Sequence, residues 1–171
     1  MRTGELYQRY FGHYIATVVD VNDPQNLGRI RVLADQFADT MDQPIWASIS
    51  RPMAGNKQGV FFTPKKGDQV ILGFIAGDVR EPIVVGYAHS TQNMPDPKLV
   101  GTQKHAIVTT IGSVVFDEAG RSITVTFAGP IPSTITLTSA GISIQGAGTI
   151  NIQAPNVVIN GRLVAPQSRP I

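Results

Sequence analysis

Two hydrophobic patterns divide the chain. Up to about residue 89, short runs of β-branched and aromatic residues are cut by turn chemistry at irregular intervals. His13–Val21 (HYIATVVDV) predicts a first strand that ends at Asn22-Asp23-Pro24. There Asp23 can accept from backbone N–H groups further on, and Pro24 fixes its own φ. Gly28 offers a φ > 0 position ahead of Arg29–Leu33, where Ile30 and Val32 alternate with Arg29 and Arg31 to give one buried and one wet face. The less regular stretch 34–44 leads to Ile45–Ile49 and the single tryptophan, Trp46. Arg51–Gly59 has loop composition, and Val60-Phe61-Phe62 follows. A turn over Thr63–Asp68, with Gly67 and Asp68, enters a strand at Gln69–Phe74. A further turn at Ala76-Gly77-Asp78 precedes Glu81–Gly86. Five or so short strands in about 80 residues fit a small closed barrel, because closure removes exposed strand edges. Trp46, Phe61, Phe62 and Phe74 are its expected core, and Gly28, Gly67 and Gly77 its expected φ > 0 turns.

The second pattern is a repeat. Ser122–Gly161 contains no charged residue in 40, yet it alternates: Ile123, Val125 and Phe127 point one way, Thr124 and Thr126 the other. Ile135/Leu137, Ile142/Ile144, Ile150/Ile152 and Val157/Ile159 continue the alternation, their first members spaced by 7, 8 and 7 residues. Small or turn-forming residues follow the pairs, as at Ala140-Gly141, Gly146-Ala147-Gly148 and Ala154-Pro155. Strand plus tight turn, repeated, predicts a β-helix. A single-chain solenoid needs roughly 20 residues per rung and about three rungs to bury a core, so this stretch is short for one. Three chains each giving one strand per triangular turn would stack about five layers from the same residues, with the eight repeat residues from Ile135 to Ile159 lining the interior. A flat sheet docked on a partner is the other solution.

The whole chain therefore reads as all-β: an N-terminal extension (1–11), a five-stranded barrel (12–89), a polar, proline-bearing linker (90–104), a β-helical shaft (105–165) and a short tail (166–171). Composition agrees, with 17 Gly and 12 Pro in 171 residues and few Glu or Lys. Net charge is only +2, and no Lys/Arg cluster exceeds Lys65-Lys66, so the electrostatic footprint of a nucleic-acid binder is weak. Cysteine is absent, which excludes disulfides and thiolate metal sites. The first 14 residues have no apolar core of a secretory signal, so cytoplasmic synthesis is expected.

Catalytic patterns are weak. His13, His89 and His105 lack metal-ligand spacing and read as strand-end or surface residues. Asp23, Asp68, Asp78 and Asp117 sit in turn signals, where capping explains them more simply than a paired-carboxylate site. No nucleophile elbow or phosphate-cradling glycine loop is present. Neither a catalytic role nor a cofactor or metal is expected. Tyr7, Tyr10, Phe11 and Tyr14, with Arg2 and Arg9, form an aromatic and basic stretch suited to packing or protein contact more than to base stacking.

The order and spacing of these motifs resemble the oligosaccharide/oligonucleotide-binding-type (OB) barrel of phage baseplate assembly protein V and the type VI secretion valine-glycine-repeat spike proteins. The likeness runs through Tyr14–Val21, Asn22-Asp23-Pro24, Leu27–Val32, Trp46, Pro52–Gly55, Gly59, Pro64–Val70, Phe74, Gly77-Asp78 and Glu81–Gly86. The repeat after His105 resembles the intertwined trimeric shaft of the same proteins. The resemblance implies a homotrimeric central spike in a phage tail baseplate or an equivalent extracellular injection particle. Such a spike docks on a ring-shaped hub protein, with Tyr7, Tyr10 and Tyr14 as expected hub contacts, and is driven through the target membrane by sheath contraction. No lysozyme-like insertion and no preceding hub domain are seen, and no His-x-His tip motif follows His105; a separate PAAR-type tip protein is the expected cap. No nucleic-acid partner is expected. The alternative is an OB module binding single-stranded nucleic acid or carbohydrate.

Overall fold

The computed structural model describes residues 9–34, 36 and 43–164. The chain divides into two units, Met1–Pro95 and Asp96–Ile171. In the first, the β-branched runs form β1 (Tyr14–Asp20), β2 (Ile30–Leu33) and β3 (Ile45–Ile49). A two-residue ladder of β4 (Ala54–Gly55) and β5 (Gln58–Gly59) follows, then β6 (Gln69–Phe74) and β7 (Pro82–Ala88). Five of these close into a barrel in the order β1-β2-β3-β7-β6. All neighbours are antiparallel except β3 and β7, which run parallel with Ser48 opposite Ile83 and Ile49 opposite Val84.

Alternation decides what fills the barrel. Ala16 and Val18 of β1, Ile30 and Val32 of β2, Ala47 of β3, Val70 and Leu72 of β6 and Val84 of β7 are each no more than 1% exposed. Phe74 closes one end, with the rings of Tyr10 and Tyr14 5.9 and 6.0 Å from its own. Register shifts in β1 between Val18 and Asp20, and between β6 and β7 at Ile71/Leu72, mark bulges of the kind that let a short sheet coil tightly.

Three of the four expected core aromatics lie elsewhere. Trp46 is only half-buried: its neighbour Ala47 takes the inward position, and Trp46 lies outside beneath the Arg29 guanidinium, 5.7 Å from its ring. Phe61 and Phe62 are 68% and 52% exposed, because Val60–Phe62 pairs with no strand and a barrel filled by small branched side chains has no space for two more rings. Arg51 lies 4.9 Å over the Phe61 ring and donates to the carbonyls of Val60 and Gly28.

The second unit is an antiparallel meander of β8 (Lys104–Thr109), β9 (Gly112–Asp117), β10 (Ser122–Phe127), β11 (Ser133–Thr138) and β12 (Gly141–Gln145), with each strand beside its sequence neighbours. A separate pair, β13 (Val158–Ile159) and β14 (Arg162–Leu163), follows. The single chain thus builds an open sheet, not a coil of rungs. The sheet also takes in β8 and β9, which precede the charge-free stretch. Ile150, Ile152 and Val157 fall outside strands.

The barrel core sets an expected contrast, readable by denaturation followed through Trp46 fluorescence. Leu72→Ala should cost about 2–5 kcal/mol by cavity formation. Phe61→Ser should cost no more than about 1 kcal/mol.

Candidate interaction surfaces

The acidic residues singled out from sequence are turn locks. Asp23 accepts from the backbone N–H groups of Gln25, Leu27 and Arg29 at 3.0, 3.0 and 3.3 Å. It also meets the Arg29 guanidinium in two-point fashion at 2.8 and 3.1 Å, with its side chain 3% exposed. The Arg29 hydrogen bond first, and the backbone donors after it, hold the Asp23 carboxyl far below the ordinary carboxylate range. Pro24 and Gly28 (φ 71°) complete this loop. Asp68 accepts from Lys65 N at 2.7 Å beside Gly67 (φ 92°). Asp78 pairs with Arg80 at 2.6 Å beside Gly77 (φ 75°), and Arg80 brings its pKa down to about 2. Asp117 accepts from Gly120 N at 2.7 Å and faces Lys104 at 3.4 Å, and both hydrogen bonds lower its pKa.

The segment leaving the barrel is fastened to one of these turns. Asn93 Nδ2 donates to Gly67 O at 3.3 Å and approaches Asp68 Oδ1 at 3.4 Å, while the backbones of Ser90 and Asn93 bond reciprocally at 3.2 Å. His89 Nδ1 lies 3.1 Å from the Asn93 carbonyl. Residues 90–104 have the composition of a linker, and nothing local in that stretch signals the Asn93 contact. Lys65, Asp68, Tyr87, His89 and Asn93 border an open groove of about 390 Å³. The Tyr87 hydroxyl is committed to Phe62 O at 2.7 Å, and no nucleophile and base are set against each other there. Among the described residues, no group of three or more His, Cys, Asp or Glu could hold a metal ion.

Register places the repeat residues together. Paired positions put Phe116, Ile123, Leu137 and Ile142 in one row across the sheet, and Ile107, Val114, Val125, Ile135 and Ile144 in the next. The opposite face carries Thr124, Thr126, Thr134, Thr136 and Ser143. Val114 is half-buried, and the other members of the apolar rows stay open, from 37% exposed at Leu137 to 70% at Ile142. No described residue from Asp96 to Val164 is buried. The sheet measures about 24 Å by 20 Å from strand spacing and rise, comparable to the largest apolar patch a monomer ordinarily shows to water, which is often functional. His105, in the row of Phe116, is the polar member at the β8 edge, with Nε2 3.2 Å from Glu118 Oε1.

Of the expected hub contacts, Tyr10 and Tyr14 pack on the barrel core, Tyr14 also donating to Phe11 O at 3.1 Å. Tyr7 lies outside the described residues. Phe11 and Ile75, beside that end of the barrel, are 70% and 54% exposed.

A five-stranded barrel ordered β1-β2-β3-β7-β6 and closed by one parallel pair is an OB-type domain. Residues 14–89 match the family model of the type VI secretion system/phage-baseplate injector OB domain, and the barrel belongs to that family. Two curated proteins of Vibrio cholerae serotype O1 are similar. The type VI secretion system spike protein VgrG3 is 30% identical over 92 residues, covering 49% of this chain and 9% of its own. The actin cross-linking toxin VgrG1 is 30% identical over 91 residues, covering 49% of this chain and 8% of its own. The chain thus spans less than a tenth of the length of these relatives.

The Asp23 lock makes the barrel acid-sensitive. Its folded pKa is depressed, so its contribution is complete above the unfolded carboxylate value of about 3.9 and is lost as pH falls through and below it. Asp23→Asn should lower the thermal midpoint at pH 7 and flatten the fall in stability below about pH 4. Thermal melts across pH 2–7 compare the two proteins, and parallel curves would show that the lock is not responsible.

Proposed function

We propose that this protein is the central spike of a contractile injection machine, acting mechanically and without catalysis. Three copies pack the apolar faces of their β8–β12 sheets inward to make a rigid three-sided shaft, and their barrels sit on a ring-shaped hub. The observation that carries this reading is a sheet of strongly alternating residues in a unit without one buried side chain among its described residues. Nine apolar side chains per chain, already about half covered, would gain on the order of 10 kcal/mol per chain by complete burial. A second copy supplies a matching face at no cost in composition, and threefold closure leaves no apolar face outside. The barrel's membership of the injector OB family and its similarity to a spike protein support the same reading.

The hub contact is assigned to the barrel end that carries Tyr10, Tyr14, Phe11 and Ile75, where apolar groups are exposed beside packed rings. The far end of the shaft meets a PAAR-type tip protein and, during contraction, the target membrane. The threonine-rich face then becomes the outer wall, with Lys104 and Asp117 as a charged pair on it. In this reading the protein works in a phage tail baseplate or an equivalent particle.

Light scattering on a sizing column tests the assembly. Full-length protein should have three times the 18.3 kDa chain mass, and a chain ending at residue 104 should fall to one. Ile144→Asp would bring three like charges toward one axis and should abolish the trimer. An Ile144→Asp protein with unchanged mass and thermal midpoint would overturn the assignment of the inner face.

A further inference from the structure

The turn between β13 and β14 is made of a chemically reactive pair, Asn160-Gly161, with φ of 49° and 74°. Positive φ at both central positions is the type I′ geometry of a two-residue hairpin, and it selects Asn-Gly because few other residues adopt it without strain. The turn explains why the two residues stand together, and it leaves their chemistry intact. Of the seven asparagines in the chain, only Asn160 precedes a glycine. Asn151 and Asn156 precede Ile152 and Val157, whose branched side chains crowd the backbone nitrogen beside them.

Access is open as well. Asn160 and Gly161 are exposed, and a Cβ placed on Gly161 would meet nothing within 4 Å. Neither the Asn160 side chain nor the Gly161 N–H has a hydrogen-bond partner among the described residues. Asn22 and Asn93, by contrast, are tied down, their Nδ2 groups donating to Asp20 Oδ1 at 3.2 Å and Gly67 O at 3.3 Å. The hairpin itself is minimal: Val158 faces Leu163, Ile159 faces Arg162, and Val164 N donates to Val157 O at 2.7 Å. An isolated two-stranded pair of this length opens readily.

We propose that Asn160 is a site of spontaneous deamidation, and that opening of the β13–β14 hairpin sets its rate. The Gly161 nitrogen, its proton lost to hydroxide, attacks Asn160 Cγ. The Cγ–Nδ2 bond breaks, and the side-chain nitrogen leaves as ammonia with a proton taken from water. Water then opens the resulting succinimide at either of its two bonds to the Gly161 nitrogen. Cleavage at Cγ gives aspartate, and cleavage at the main-chain carbonyl carbon gives isoaspartate, whose backbone is longer by one methylene. Ring closure turns residue 160 out of its left-handed conformation, so the closed hairpin resists the reaction and the open one permits it. Arg162 is the only charged residue from Ser122 to Val164, and either product sets a carboxylate two residues from it. Deamidation thus cancels the local charge, and the longer isoaspartyl backbone no longer fits a two-residue turn. None of this depends on the trimeric reading.

Peptide mapping by mass spectrometry tests the site. Full-length protein is held in warm, mildly alkaline buffer, once native and once in denaturant, and sampled over time. Trypsin cuts after Arg121 and Arg162, so Asn151, Asn156 and Asn160 fall in one peptide and serve as each other's controls. In the native sample, conversion at Asn160 should outrun that at Asn156 and yield both aspartate and isoaspartate. In denaturant, Asn160 should convert faster still. The Gly161→Ala chain, followed in denaturant where its folding does not matter, should lose Asn160 much more slowly than the unsubstituted chain. An Asn160 that survives in the native protein as long as Asn156 would overturn the site. Equal rates in native and denatured protein would overturn control by the hairpin, and an unslowed Gly161→Ala chain would overturn the succinimide route.

Discussion

Backbone hydrogen bonding and hydrophobic burial are satisfied in different places in this protein, and most of its architecture follows from that separation. The β8–β12 meander completes its interior ladders within one chain, so its secondary structure needs no partner. Within this unit its apolar rows stay largely exposed among the described residues. A sheet can form on local pairing, but it becomes persistent only when one face is dry.

The barrel solves the same problem internally. Closure of β1-β2-β3-β7-β6 removes sheet edges and makes an interior small enough for alanine, valine, isoleucine and leucine to fill. Its loops are then held by short polar locks, of which Asp23 is the most complete, joining three backbone donors and one guanidinium. Asn93 fastens the departing chain to the Gly67–Asp68 turn before the second unit begins.

The positions where sequence and structure part company share a cause. Trp46, Phe61 and Phe62 look like core residues because large aromatic side chains favour burial wherever space exists. Whether space exists depends on how five strands close, and no local pattern carries that volume. Ala47 and not Trp46 faces inward because the register of β2 against β3 sets Ile30 opposite Ala47. Ile150, Ile152 and Val157 have the alternation of strands, but a strand is made by pairing, and none of the three pairs with another strand among the described residues.

The sequence by itself determined the all-β class, the turn positions and the alternating face of the second unit. Each of these depends on neighbours only a few residues away: a carboxylate accepting from the next N–H groups, a glycine at φ > 0, side chains pointing to opposite sides of one strand. Tertiary structure alone decided which strands are joined by the parallel β3–β7 pair, which aromatics the barrel could not admit, and that Thr149–Gln153 forms no strand. Those outcomes rest on closure, volume and pairing, which exist only once distant segments have met.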